Sequence, residues 1–430
     1  KKNDNVPAAT DNLPVNSYTA LNYNEVKGVW IWYSELYPIL TGKSESQLRS
    51  GIGEYYDNCL SLGINTVYVH VRPFGDAIYK SDYFPWSKYC TGYIGKDPGY
   101  DPLKVMIDEA HARGISFQAW VNPLRCYYED DAPDVSTTYK TGQWYDTKDG
   151  DYIVKVNSYW WLNPAYKVVT DLIANGAAEL VSKYDVDGVH IDDYFYPTTE
   201  AYFDSIAFNA SSYSSLSQFR LDNCSRMVAD MYKAVKSHNP SALFGVSAQG
   251  NVTNNETQLY ADVEKWSGGR LGYVHIQSMG DGSFRTVYSD ILGKYNNCDG
   301  IVIDTRFNGG GRLHEDIEIL FSGQKYFTQV VRGREACDMP SRRWNKPSIM
   351  LQCEANYSNA HGTPWVYKHR NIGKLVGMPV PGTMTSVSWE TLQDPSLVFG
   401  IPIIGCLTAA IWKILNWNLI LKLPIARKQW

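Results

Sequence analysis

From residue 27 onward the chain repeats one unit: a short apolar run rich in β-branched and aromatic residues, followed by a longer stretch of helical periodicity. Nothing else in the sequence constrains the fold as strongly. The runs 28–33 (GVWIWY), 65–73 (NTVYVHVRP), 116–123 (SFQAWVNP), 188–195 (GVHIDDYF) and 242–249 (ALFGVSAQ) read as strands. Between them, 44–62 opens on a capping box of Ser44 and Gln47 and stops at Gly63. Stretch 101–113 opens on Asp101 with Pro102 in the first turn, and 165–183 and 215–236 supply two further helices. Strands that are apolar almost throughout are covered on both faces, and strict strand–helix alternation joins them in parallel. Five such units in a row favour a (β/α) barrel of the TIM type over a doubly wound sheet. The expected fold class is therefore α/β, with a TIM-barrel-like N-terminal domain.

The polar residues that break these runs gather at the strand tips, where a barrel of this kind does its chemistry. Arg72, Asn122, Arg125, Asp192, Asp193, Gln249 and Asn251 all stand at or just past a strand end. Glycoside hydrolysis needs two carboxyl groups flanking the scissile bond, and the pair Asp192–Asp193 is the strongest offer. Strand alternation sets His190 and Asp192 on one face and Asp193 on the other; with His190 facing the barrel, Asp192 is the leading catalytic carboxylate, as nucleophile or stabiliser. Asp193 takes the second catalytic place or orients its neighbours; for the partner carboxyl, Asp76 and Glu256 are weaker candidates. Aromatic residues make up 14% of the chain, enough to spare rings such as Trp120 and Tyr194 for stacking on sugar faces. Arg72, Asn122 and Gln249 can bind hydroxyls, and Asp76, Arg125, His190 and Asn251 join them and the two rings as candidate substrate-binding residues. The net charge of -5 provides no field for gripping nucleic acid. Eight scattered cysteines without a C-x-x-C pair or spaced histidines suggest neither a metal nor a disulfide framework. Carboxyl-driven glycoside hydrolysis needs no cofactor, and none is expected.

Two family resemblances rest on these segments and on those beyond them. The segments GVWIWY, INTVYVHVRPFGDAIY, FPWSKYCTG, DPGYDPLKVMIDEAHARGISFQAWVNPLR, WLNPAY, DVDGVHIDDYFYP, FGVSAQGN and QLYADVEKW closely resemble the bacterial glycosyl-hydrolase-like barrel family, over residues 27–266. Its members are cell-envelope lipoproteins, some linked to cleavage of peptidoglycan glycan strands stripped of their peptides. The resemblance implies a polysaccharide substrate and an envelope address, reached through an N-terminal lipid anchor that is not part of this sequence. Residues 1–26, polar and rich in Asn, Asp and Pro, read as a disordered leader.

The second begins where the first stops. SGGRLGYVHIQSM, DGIVIDTRFNGGG, LQCEANYSNAHG and KLVGMPVPGTMTSVSWE, within 267–405, resemble the core of tricorn-type serine peptidases of the C-terminal-processing class. That resemblance makes Ser358 the nucleophile of an alternative peptidase activity, with backbone N–H groups of Gly310, Gly311 and Asn359 as its oxyanion hole. The family's histidine-bearing segment lies upstream of the matched part, and Asn416 stands where a glutamate is expected. A serine without a base or an orienting acid is a poor nucleophile, so Ser358 reads as a vestige. An inactive or sugar-binding hybrid is the remaining alternative, and 406–430 is an atypical apolar tail. The first family's last barrel strands are missing, and 272–279, 300–307 and 347–353 offer three strands that could close the barrel, with 273–276 pairing beside 244–247.

Overall fold

The computed structural model describes residues 13–147, 151–382, 384 and 386–404. Contacts divide the chain at the Trp266–Ser267 bond into two compact units.

The first unit contains, in chain order, β1 (Gly28–Ile31), β2 (Thr66–Arg72), β3 (Ser116–Val121), three short strands β4 (Arg125–Tyr128), β5 (Ile153–Val156) and β6 (Tyr159–Leu162), then β7 (Gly188–Ile191) and β8 (Leu243–Val246). Five of these form one parallel sheet in the order β1-β2-β3-β7-β8; the other three make a small antiparallel sheet, β4-β6-β5. The connecting helices begin as their caps dictate. Ser44 accepts from Gln47 N while the Gln47 side chain accepts from Ser44 N, opening Glu45–Ser61. Asp101 accepts from Lys104 N ahead of Pro102–His111.

Register gives the sheet two unlike faces. Ile31, Val69, Ala119 and Val189 lie side by side across four strands and are buried in one continuous core with the helices. One residue further along, His70, Trp120, His190 and Gly245 form the adjacent row on the opposite face. Gly245 is required there, because a Cβ would lie 2.3 Å from His190 Nδ1.

Three expectations are corrected. The sheet is open: β1 and β8 are its two ends and no closed barrel forms among the described residues. The three strands expected to close it belong elsewhere. In the second unit, β9 (Leu271–His275), β10 (Gly300–Asp304), the hairpin β11 (Phe327–Val331) and β12 (Arg334–Met339), β13 (Ser348–Gln352) and β14 (Lys374–Gly377) follow in order. There β9 pairs with β10 in a separate parallel sheet, β14-β13-β10-β9, so 273–276 does not lie beside 244–247. A strand joins the sheet whose apolar face it can share, and Val274, Ile301, Ile303 and Met350 share one core of their own.

The leader is also ordered where it is described. Buried Asp187, at the foot of β7, accepts from Tyr18 Oη at 2.7 Å, from Phe117 N at 2.7 Å and from Leu21 N, and pairs with His111 Nε2 at 2.9 Å. Asn16 N donates to the His238 carbonyl at 2.7 Å. A polar segment is thereby held by groups more than 160 residues away. The tail at 406–430, with Asn416, lies outside the described residues.

Candidate active site

Asp192 sits immediately past the end of β7, 8% exposed. Trp120 Nε1 donates to its Oδ2 at 3.0 Å and Tyr194 N to its Oδ1 at 3.2 Å. Burial, reinforced by the neighbouring charge of Asp193, pushes its pKa up from 3.8 to about 6, against the pull of those two donors and of Arg125. A carboxyl that exchanges its proton near neutrality is what a general acid requires. Trp120 is itself fixed. His70 lies flat on it at 3.8 Å with an interplanar angle of 5°, and Trp30 meets it edge-on at 4.7 Å. Burial and the cations Arg125 and Arg72 drive the His70 pKa well below its ordinary value, so that ring is a neutral spacer.

The other candidates divide into those near Asp192 and those used elsewhere. Arg125, 7% exposed, lies 4.2 Å from the Tyr194 ring and 4.5 Å from Phe74, its Nε donating to the Pro73 carbonyl at 3.2 Å. Asn122 Nδ2 donates to the same carbonyl at 3.2 Å, while its Oδ1 is buried without a partner. Asp193, half-buried, accepts from Gln249 Nε2 at 2.9 Å, so these two hold each other. His190 is bonded to Ser247 Oγ at 2.8 Å, and burial lowers its pKa to about 4, leaving it neutral.

Three residues are not presented beside Asp192 as expected. Arg72 is sealed under the loop that follows β2, its guanidinium 4.5 Å from Phe84 and its Nε and Nη1 unpartnered. Asp76 is sealed as well, and burial raises its pKa to about 6. Asn251 caps a helical turn, accepting from Asn254 N at 3.0 Å, and is exposed. Sequence reading missed His70, Trp30 and Tyr68, which are hidden within apolar runs. It also missed the wall beside Asp192, where Trp161 stacks on Tyr194 at 6.3 Å and Phe74 on Tyr159 at 6.2 Å. Only strand alternation through residue 70 could have marked His70.

In the second unit Ser358 precedes the helix Asn359–His369 with φ 53° and ψ -123°. Such a conformation is strained for a non-glycine residue, by about 1–3 kcal/mol. Gly310 packs directly on it: a Cβ there would lie 2.7 Å from Ser358 Cβ. Of the expected backbone oxyanion donors, one is already engaged. Gly310 N donates to Asn308 Oδ1 at 2.9 Å, which commits it internally. Gly311 has φ 144°, and a Cβ there would lie 2.1 Å from the Met279 carbonyl oxygen. The Asn359 side chain is tied to His314, accepting from its N at 2.9 Å. His361 is buried, which lowers its pKa, and its backbone N closes the turn onto the Ser358 carbonyl at 2.9 Å. Among the described residues no group of three or more His, Cys, Asp or Glu is arranged to hold a metal ion, and no helix is long and apolar enough to cross a membrane.

An α/β unit with parallel strands that carries a proton-exchanging carboxyl among aromatic rings at its strand tips has a glycoside hydrolase-like character. The sequence matches the Glycosyl hydrolase-like 10 family over residues 25–289, and the chain belongs to that family. The match continues past Trp266 into the second unit instead of ending at the break. Residues 270–417 match Peptidase family S41. The chain is 31% identical over 296 residues to the glycosyl hydrolase YngK of Bacillus subtilis (strain 168), covering 62% of this chain and 56% of that protein. It is 33% identical over 264 residues to the glycosyl hydrolase DigH of Escherichia coli (strain K12), covering 56% of this chain and 60% of that one. A putative tricorn-like protease C-terminal subunit of Sulfurisphaera tokodaii is 28% identical over 141 residues, 32% of this chain and 16% of that protein. The chain thus spans little more than half the length of the curated hydrolases it matches.

Proposed function

We propose that the first unit hydrolyses glycosidic bonds in a cell-envelope polysaccharide, peptidoglycan glycan strands among them, with Asp192 as the proton donor. The observation that carries this reading is the state of Asp192: buried, at a strand tip, with its pKa raised to about 6, held by the Trp120 indole N–H and the Tyr194 backbone N–H. An acid of this kind protonates the leaving oxygen as the glycosidic bond lengthens, while a second carboxylate acts on the opposite side of the ring. Asp193 is the nearest in sequence and is oriented by Gln249. In the same reading the open five-stranded sheet is an arc of a (β/α) barrel, with the row His70–Trp120–His190 on the inner wall. The envelope location and the lipid anchor rest on the family resemblance alone, and cell fractionation tests them. The catalytic claim is tested by incubating the full chain with peptide-free glycan strands and counting new reducing ends. Release is expected from the native chain and not from Asp192→Asn; equal release from both removes Asp192 from the reaction.

A second reading, serine peptidase action through Ser358, is supported by its strained turn against Gly310. Labelling of Ser358 by a fluorophosphonate favours it. Absence of label alongside an intact fold returns Ser358 to a structural role.

A further inference from the structure

The site contains a buried cation with no counter-ion among the described residues. Arg125 is 7% exposed, forms no ion pair with them, and makes one hydrogen bond, from Nε to the Pro73 carbonyl at 3.2 Å. Arg72, more deeply buried, has its Nε and Nη1 sealed away without partners, whereas the Nη atoms of Arg125 are not among the fully sealed groups. The guanidinium carbon lies 4.5 Å from the Phe74 ring and 4.2 Å from the Tyr194 ring, and Tyr194 is exposed. Asp192 feels this charge without forming a salt bridge to it. Burying a charge without a partner is costly, and a fold that keeps one rigid and open at a site leaves the counter-ion to the ligand. A fixed guanidinium edge offering two N–H groups matches a carboxylate in bidentate fashion.

We propose that Arg125 is a specificity-determining residue that binds a carboxylate on the sugar chain beside the bond to be cleaved, and so selects acidic glycans over neutral ones. This inference rests on the hydrolase reading for its location, but not for its test. The carboxylate can be the ring carboxylate of a uronic acid or a lactyl ether carboxylate on an amino sugar, and the experiment takes both. Tetrasaccharides of each kind, and their methyl esters, are titrated calorimetrically into the full chain carrying Asp192→Asn, so that no turnover intervenes.

One acid is expected to bind about ten- to a hundredfold more tightly than its ester, the range for a hydrogen-bonded charge. Which of the two does so identifies the carboxylate source. Arg125→Gln erases the preference. Arg125→Lys, which keeps the charge but loses the planar fork, retains part of it and makes it more sensitive to salt. Equal binding of acid and ester, binding of neither, or a preference that survives Arg125→Gln in a chain with unchanged circular dichroism overturns the proposal. Failure of the hydrolase reading has a different signature: the acid is still preferred in binding while the native chain releases no new reducing ends.

Discussion

Replacing Asp192 by Asn isolates the energetic consequence of holding a carboxyl in a place that resists its ionisation. In the fold this group titrates at about 6, against an ordinary 3.8. Because the folded value is the higher, the native chain keeps a proton over that interval which the unfolded chain has already lost. The stabilisation is complete below the unfolded value, declines as pH rises, and is gone above about 6. At 1.36 kcal/mol per pH unit the whole interval is worth at most about 3 kcal/mol. Asn does not titrate, and its side-chain oxygen can still accept from Trp120 Nε1. Asp76, which burial also raises to about 6, is present in both proteins and cancels in the difference. The variant is therefore expected to match the native chain near pH 4 and to exceed it in stability by up to about 3 kcal/mol above pH 6.5. Urea unfolding followed by tryptophan fluorescence, repeated from pH 4 to pH 7.5, gives the difference directly. A gain that does not change with pH, or a variant that is the weaker one at neutral pH, refutes the account of Asp192 as a desolvated acid.

Three further outcomes follow from particular contacts. Trp120→Phe keeps the ring on His70 but removes the N–H given to Asp192, a hydrogen bond to a charged group worth about 1.5–3 kcal/mol. The Asp192 midpoint should rise by about one to two pH units in a carboxyl NMR titration, and an unmoved midpoint rejects the contact. Asp187→Asn turns a shared acceptor for Tyr18, Leu21 and Phe117 into a partial donor, costing about 3 kcal/mol. Limited proteolysis within 13–26 should accelerate, and an unchanged rate means the segment is held by other contacts. Arg220 and Asp204 form a fully buried pair that anchors the loop after β7. Arg220→Met should cost about 3–5 kcal/mol in a thermal melt, with Asp204→Leu added to it restoring most of the loss; a silent single variant excludes a structural role for the pair.

How far the sequence could be read depended on the range of the interaction involved. The strand-tip position of Asp192 was legible because a run of residues buried on both faces ends abruptly in two acids, a break visible within a single short strand. The small antiparallel sheet carrying Arg125, Tyr159 and Trp161 was not read, since its strands are four residues each and follow no long periodicity. Residues 13–26 read as disordered together with the rest of a leader rich in Asn, Asp and Pro; what orders them is Asp187, whose burial is created by strands far along the chain. Arg72 and Asp76 share strand-tip positions with Arg125, yet the loop after β2 closes over them.

What the sequence determined alone was the alternation of parallel strands and helices, the caps that begin the helices, and the concentration of polar residues at the strand tips. These follow from periodicity and capping, which act within a few turns of chain. Only the tertiary structure decided that the first sheet stays open, that β9 joins β10 and not β8, that Asp192 keeps its proton to about pH 6, and that Arg125 stands without a counter-ion among the described residues. Strand pairing and desolvation are set by which distant segments come to share one core, and no local pattern contains that information.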